Sequence, residues 1–248
     1  MEYRENKIDG FLSNFIRCFW EFETPTKDVN YTILPDGHFD LIFEIRNNEL
    51  SNISLTGVWT KPIKVQIDKD TKLIGIRFKL IAAEYIFKQS MKNILNTTTN
   101  FSIDFFALKN FPFNDFDLLT DYLLKKINYG LKKLKEIDSR KFKLFELLYE
   151  NKGNLKVNEL AEKTLWSSRQ INRYFNAKFG FSLKTFSNIL KCNSTYRQIA
   201  NGKLFPQQDY FDQAHFIKEI KKYTGTTPKE LYKNENDRFL QLSTLMTS

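Results

Sequence analysis

Hydrophobic and polar residues alternate along the first eighty positions with the period of two that is typical of β-strands. The alternation is clearest over residues 38–46, 63–68 and 74–80, and the aromatic segment 15–22 favours another strand. Pro, Asp and Gly at positions 35–37 predict a turn, because Pro fixes φ, Asp bonds the local backbone and Gly accepts a positive φ. The pattern therefore predicts a β-rich domain of the sandwich or small-barrel type.

The hydrophobic period changes to three and four residues after position 80. Residues 82–92 are predicted to form a helix, whereas residues 96–114 show little pattern. A long amphipathic helix follows, and its apolar stripe consists of Phe116, Leu119, Leu123, Ile127, Leu131 and Leu134. Periodicity does not identify what this stripe packs on, so the β-rich domain and a second copy of the chain both stay open.

Helical patterns continue from residue 139, and capping residues mark where each helix begins and ends. Helices are predicted to end near Gly153, Gly202 and Gly225, and to begin after Ser167, Ser182, Asp212 and Thr227. We therefore predict an α+β chain in three parts. Residues 1–113 form a β-rich sensing or assembly domain, residues 114–138 a linker helix, and residues 139–248 an all-α domain.

The net positive charge is confined to the helical half. Residues 1–138 contain 19 Lys and Arg against 19 Asp and Glu, whereas residues 139–248 contain 19 against 10 and so account for the net charge of +9. Within residues 151–200 the count is nine against two. A neutral half joined to a basic half indicates that one domain meets a polyanion.

Residue usage argues against several other classes of function. Cys18 and Cys192 are far apart, and His38 and His215 are the only histidines, so we expect reduced thiols, no metal site and no cofactor. Asp36, His38 and Asp40 are close in the sequence. We interpret Asp36 as a turn residue, Asp40 as a strand residue that points outward and His38 as a lone histidine. We therefore expect no enzyme. The chain has a charged N-terminus and no run of about 20 apolar residues, which predicts a cytoplasmic protein without a membrane partner.

The candidate chemistry lies in two short predicted helices, residues 157–163 and 168–179, joined by a turn of four residues. This is the arrangement of a helix-turn-helix, which presents its second helix to the DNA major groove. On that helix Ile171, Phe175 and Phe179 should face inward, and the opposite face carries Arg169, Asn172, Arg173 and Asn176. Arg can bond guanine and Asn adenine with two hydrogen bonds each. The alternative, a merely solvated helix face, is weakened by the local charge and by the S-x-x-Q capping box at residues 167–170.

The residues around these helices resemble the DNA-binding domain of AraC-type transcription regulators. The matching segments are 160–161, 167–175, 179–182, 212–216 (DQAHF) and 223–228 (YTGTTP), and the resemblance as a whole covers about residues 139–235. The resemblance implies two helix-turn-helix units bridged by a long helix and bound to double-stranded DNA. By position it implies base-contact roles for Arg169, Asn172 and Arg173 in the first unit and for Gln213, Ala214 and Lys218 in the second. We also expect Gln170 and Asn176 to contact DNA.

The second unit departs from the family pattern. Only nine residues, 203–211, separate the stop at Gly202 from the cap at Asp212, and they include Pro206, with Asp209 where the family has Gly. A first helix does not fit there, so we expect one complete and one truncated helix-turn-helix. His215, at the third position of the next helix, is expected to have a structural role.

The N-terminal half is similar to the first domain of a subgroup of the same regulators, through residues 34–43, 57–60 and 75–78. This similarity implies a domain that senses a small-molecule effector of unknown identity or assembles the protein. The sequence thus predicts a DNA-binding transcription regulator, with a homodimer through residues 114–138 as one way to gain specificity. The alternative is a ligand- or protein-binding module of the same family that has lost specific DNA binding.

Overall fold

The computed structural model describes residues 2–24, 27–102, 106–108, 111–134, 136–205, 212–235 and 238–247. Within these ranges the N-terminal half contains two antiparallel sheets. The strands are β1 (Glu2–Lys7), β2 (Ile16–Glu23), β3 (Val29–Ile33), β4 (His38–Arg46), β5 (Glu49–Thr56), β6 (Ile63–Ile67), β7 (Lys72–Lys79) and β8 (Thr98–Phe101). Six of them form one sheet in the order β1-β2-β7-β4-β5-β8, and β3 pairs with β6 in the other.

The large sheet is covered on both faces. One face carries Phe39, Phe43 and Phe78, which are fully buried in the main core. The other face carries Trp20 and Phe22, which pack with Tyr31 of β3. The small sheet therefore covers part of the face that lies opposite the main core.

The long predicted helix is present as α2 (Phe116–Lys132), begun by Asp115, whose carboxylate accepts a hydrogen bond from the backbone N–H of Leu118. The stripe residues of α2 are buried in the same core as the large sheet. Of the two partners left open by the sequence, the chain's own β-rich half is therefore the one that covers the stripe.

Helices occupy the C-terminal half. They are α3 (Ser139–Glu150), α4 (Val157–Thr164), α5 (Ser168–Phe179), α6 (Leu183–Ala200), α7 (Gln213–Thr224), α8 (Pro228–Lys233) and α9 (Leu240–Thr247). The predicted caps hold: the side chains of Ser167, Ser182, Asp212 and Thr227 each accept a backbone N–H at a helix start. Together the two halves confirm the α+β architecture with a β-rich first half and a helical second half.

Gly153 fixes the approach of α6 to the turn after α3. Its φ is +75°, and a Cβ atom there would lie 2.3 Å from the carbonyl oxygen of Ser187 on α6. Only glycine combines this backbone conformation with so close a contact. The turn therefore seats α6 directly on the end of α3.

Two segments differ from the prediction. Residues 82–92 are not one helix: α1 covers only Ala82–Tyr85, and a 3-10 helix follows at Met91–Ile94, because Lys88 between them has a positive φ of 54°. The weakly patterned region 96–114 contains β8, which pairs with β5. The sequence also missed α9.

The two halves share one hydrophobic core. It runs without interruption from the large sheet through α2 to α3, α4 and α5. At the junction the Tyr149 hydroxyl donates to the carbonyl of Gly37 at 2.8 Å and accepts from the backbone N–H of Leu80 at 2.9 Å. After α8 the chain returns to the β-rich half, where the Gln241 side chain bonds both the N–H and the carbonyl of Leu34. The three-part division of the chain stays a prediction, and the main core includes residues from all three parts.

Candidate nucleic-acid interface

The turn between α4 and α5 is built by local interactions. Leu165 ends α4 in a left-handed conformation with φ of 53°, and Ser167 begins α5 as its N-cap. The backbone N–H and hydroxyl of Ser167 donate to the side-chain Oε1 of Gln170 at 2.9 and 2.8 Å. The predicted capping box is confirmed, and α5 begins at the predicted residue.

An aromatic cluster holds the inner face of α5. Ile171, Tyr174, Phe175 and Phe179 are buried, as their spacing predicted. The Phe175 ring lies 5.8 Å from the ring of Phe145 on α3 and 5.6 Å from that of Phe186 on α6. Such aromatic pairs add to the stabilisation from burial alone, so α5 is fixed to two neighbouring helices.

The opposite face of α5 points away from the core. Arg169, Arg173 and Asn176 are exposed, and Asn172 is half-buried. In the described part of the chain no carboxylate lies within 4.0 Å of either guanidinium. The Asn172 and Asn176 amides donate to backbone carbonyls one turn earlier, at 3.0 and 2.9 Å. The face thus presents two guanidinium groups without a carboxylate partner, interspersed with two amides.

Gln170 is on the same helix but is engaged differently. Its side-chain Oε1 already accepts the two hydrogen bonds of the capping box, which draws the side chain back over the start of α5. Its predicted contact with DNA is untested, and the structure assigns it a role in starting the helix.

The β-rich half supports α5 from behind. The hydroxyl of Ser90 donates to the last carbonyls of α5, at 2.8 Å to Lys178 and 3.2 Å to Ala177. The hydroxyl of Tyr174 donates to Glu84 of α1 at 2.9 Å, and Glu84 also pairs with Lys141 of α3. Sequence reasoning missed these residues, since nothing local links positions that are 87 to 90 residues apart.

The second predicted unit has its later helix in place. On α7, Phe216, Ile220 and Tyr223 are buried as predicted, while Gln213, Ala214, His215 and Lys218 are exposed. The backbone N–H of His215 donates to the Asp212 cap at 2.7 Å. Residues 201–205 after α6 are not helical, and residues 206–211, with Pro206 and Asp209, lie outside the described ranges. The predicted truncation therefore stays a prediction.

The long helix α6 connects the two units. It contacts α3 and α5 on one side and α7, α8 and α9 on the other. Its buried residues join two cores: Phe186 belongs to the core around α5, and Ile189 and Tyr196 belong to a second core with Phe216 of α7. A shift of α6 would therefore move both polar helix faces together.

A buried ionic cluster lies on the covered face of the large sheet. The Nε of Arg77 lies 3.1 Å from Asp40 and 3.6 Å from Asp36. Asp40 also accepts from the indole N–H of Trp20 at 2.9 Å, and Asp36 accepts from the backbone N–H of His38, also at 2.9 Å. The expectation that Asp40 points outward to solvent is wrong, because β3 and β6 cover this face.

The pKa values of the two carboxyls move in opposite directions. Burial alone would raise the pKa of Asp36, but the positive charge of Arg77 and the contact with His38 outweigh it and hold the pKa well below its usual range. Burial dominates at Asp40 and raises its pKa despite Arg77. The arrangement is an ion pair with an additional carboxyl, and removal of one partner would leave a buried charge without compensation.

A cavity of about 190 Å³ lies between the two sheets, beside this cluster. Its walls are mainly apolar and include Trp20, Ile42, Val65 and Leu240, with Asp40 and Arg77 at one place on the wall. Leu240 belongs to α9, so the wall combines residues from both halves of the chain.

The other chemical groups in the described residues offer little reactivity. Cys18 and Cys192 are free and buried, and burial raises the pKa of each thiol to about 12. The described residues contain no group of three or more His, Cys, Asp or Glu side chains placed to hold a metal ion. Among the helices that the structure describes, none is long and apolar enough to cross a membrane.

The chain is similar to one family model and to solved structures. The family model that matches is a domain of unknown function, DUF6597, over residues 9–100. No curated protein matches. Among solved structures, ToxT from Vibrio cholerae is similar at 11% identity over 94% of this chain and 98% of that chain, with a TM-score of 0.44. ToxT from Vibrio cholerae O395 bound to (E)-4-(8-methylnaphthalen-1-yl)but-3-enoic acid is similar at 11% identity over 99% of this chain and 100% of that chain, with a TM-score of 0.47.

Proposed function

We propose that this protein is a sequence-specific, DNA-binding transcription regulator of the AraC type. The observation that carries the proposal is the polar face of α5: Arg169 and Arg173 are exposed and unpaired on a helix that a capped turn joins to α4. An exposed arginine-bearing helix after a tight turn is the arrangement that inserts into a major groove. Because the helix is anchored on its other face, little ordering is left to be done on binding.

Different residues supply the affinity for DNA and the choice of sequence. Lys and Arg of the basic half neutralise phosphates on any duplex. Arg169, Asn172, Arg173 and Asn176 add contacts to base edges, and Gln213 and Lys218 at the start of α7 extend the contact to a second segment of DNA.

The β-rich half is the proposed sensing part, modulated by a ligand or a partner. The cavity between the sheets supports this, because α9 contributes to its wall and also packs against α6. A homodimer through residues 114–138 remains part of the proposal as an assembly route. It would use the outer face of α2, where Leu118 is 47% and Tyr129 is 62% exposed, since the inner stripe is buried.

Binding to duplex DNA is expected to weaken steeply with salt. Each phosphate neutralised by Lys or Arg releases counterions, so the logarithm of the affinity should fall by about 0.9 per contact for each tenfold rise in salt. Fluorescence anisotropy of a labelled duplex at several salt concentrations measures this slope. A flat response would favour the alternative of a ligand- or protein-binding module that has lost DNA binding.

Arg173→Ala is expected to weaken binding to the preferred site by about 1–3 kcal/mol and binding to random DNA by less. The preferred site is obtained by selecting bound duplexes from a random pool with the full-length chain, because the two halves share one core. Lys61→Ala, an exposed residue of the β-rich half, is the control and should change neither affinity. Equal losses on both duplexes would reduce Arg173 to a phosphate contact.

A further inference from the structure

A groove of about 1050 Å³ runs between the β-rich half and α6. One side comes from the β1 and β2 strands and the segment between them, and the other comes from the turn after α3 and from α6; Thr120 and Leu124 of α2 also line it. Besides Arg77, which is paired with Asp36 and Asp40, four cationic side chains line it: Lys7 and Arg17 on the first side, Lys152 and Arg197 on the second. No single element forms the groove; it exists only where the two halves of the chain meet.

These four cations have no carboxylate partner in the described part of the chain. All four are exposed, and in the ranges that the structure describes none has a carboxylate within 4.0 Å. The acidic residues that line the groove are Glu5 and Asp36, and Asp36 is already paired with Arg77 at the base. The lining therefore carries an excess of positive charge from side chains that converge from two parts of the fold.

A buried histidine lies at the base of the same groove. His38 is 7% exposed, and neither ring nitrogen has a hydrogen-bond partner within the described residues. The nearest carboxylate oxygen, Oδ1 of Asp36, is 3.6 Å from Nδ1. A buried polar group without a partner costs about 1–3 kcal/mol, which is why such groups in folded proteins usually meet a bond partner, a water or a ligand.

We propose that this groove binds a small polyanion, a molecule with two or more negative charges on phosphate or carboxylate groups. Its oxygens would accept from Arg17 and Lys7 on one side, from Arg197 and Lys152 on the other, and from a ring N–H of His38 at the base. The volume suits a metabolite-sized ligand. A duplex can meet the cations at the rim, but its backbone is too bulky to reach a buried imidazole.

Binding there would link the two halves of the chain. An anion held by both Arg17 and Arg197 joins the β-rich half to α6, and α6 contacts both α5 and α7. This consequence rests on the proposed function, because it makes the polyanion an effector of DNA binding. The binding step itself does not depend on it.

The test is calorimetric titration of the full-length chain, without DNA, at a constant ionic strength of about 0.15 M. Pyrophosphate and citrate are the probes and distinguish phosphate from carboxylate recognition, with inorganic phosphate and chloride for comparison. We expect one site for pyrophosphate or citrate with a Kd on the order of 1 mM or tighter. The double variant Arg17→Gln/Arg197→Gln is expected to weaken it at least about tenfold.

Lys61→Gln combined with Lys132→Gln removes the same charge from exposed positions outside the groove, and its affinity should stay that of the natural chain. His38→Phe should also weaken binding, since it removes the N–H donor and keeps an aromatic ring; circular dichroism checks that each variant is folded.

Equal weakening in the groove and control variants would overturn the proposal, as would no binding by any probe. So would Arg17→Gln/Arg197→Gln losing duplex affinity while no probe binds, because the groove would then be a nucleic-acid surface. If the probes bind but duplex DNA does not, the site stands and the proposed function fails.

Discussion

Arg77→Met is expected to destabilise the fold by about 3–5 kcal/mol at pH 7, because it leaves two buried carboxyls without their counter-charge. Asp36 and Asp40 lie 3.6 and 3.1 Å from the guanidinium Nε, and their side chains are 12% and 13% exposed. Methionine fills a similar volume, so the loss reports the charge more than a cavity. Urea unfolding followed by circular dichroism measures the change in free energy of unfolding.

The same variant should recover stability as the pH falls. In the natural chain Arg77 holds the pKa of Asp36 below its unfolded value, so this carboxyl contributes stability above the unfolded pKa and loses it as the pH drops through the folded pKa. Without Arg77, burial raises the pKa of both carboxyls above their unfolded values, and the sign reverses. The folded variant then takes up protons between pH 7 and the unfolded pKa near 4, so its deficit relative to the natural chain should shrink in that window.

Arg46→Met is the matched control. Arg46 also contacts two carboxylates, Glu44 and Asp68, each at 2.7 Å, but its side chain is 44% exposed. Water and salt screen that group, so a far smaller loss is expected, with no recovery at low pH. Adding Asp40→Asn to Arg77→Met should restore part of the stability, since it removes one buried charge and keeps an acceptor for Trp20. Losses of equal size for Arg77→Met and Arg46→Met would contradict the buried ion pair.

The features that the sequence predicted correctly are those set by short-range interactions. The S-x-x-Q pattern located the start of α5 because Ser167 and Gln170 satisfy each other's backbone within one turn. Spacing alone also separated the buried Phe175 from the exposed Arg173, since both are fixed by the helical period. The candidate surface was thus visible in the sequence, residue by residue.

The features that the sequence missed depend on contacts between distant segments. Alternation showed that Asp40 faces away from Phe39 and Leu41, but it could not show that a second sheet covers that side. β1 has the sequence EYRENK and no apolar pattern, and it becomes a strand only because β2 offers a paired edge. The contacts of Ser90 and Glu84 with α5 follow from the shared core, which no local pattern records.

Phe175→Ala is expected to destabilise the chain by about 3–5 kcal/mol, the usual cost of removing a buried phenyl ring. Its side chain is fully buried, and besides Phe145 and Phe186 its ring lies 5.3 Å from that of Phe179. The cavity would open where α3, α5 and α6 meet, so the helix that carries Arg169 and Arg173 loses its main anchor. Urea unfolding should give a lower midpoint with an unchanged slope.

The functional consequence should exceed what unfolding alone explains. At a temperature where Phe175→Ala is still folded, α5 can shift on its neighbours, and a small displacement is enough to misalign two-bond contacts between Arg and guanine. The ratio of affinities for the selected site and for random DNA should therefore fall, while the salt dependence on random DNA persists. Leu118→Ala, which truncates a side chain that is 47% exposed on α2, should change stability by no more than about 0.5 kcal/mol and leave that ratio intact. A Phe175→Ala protein that kept its discrimination would show that the position of α5 is set by the Ser90 and Glu84 contacts instead.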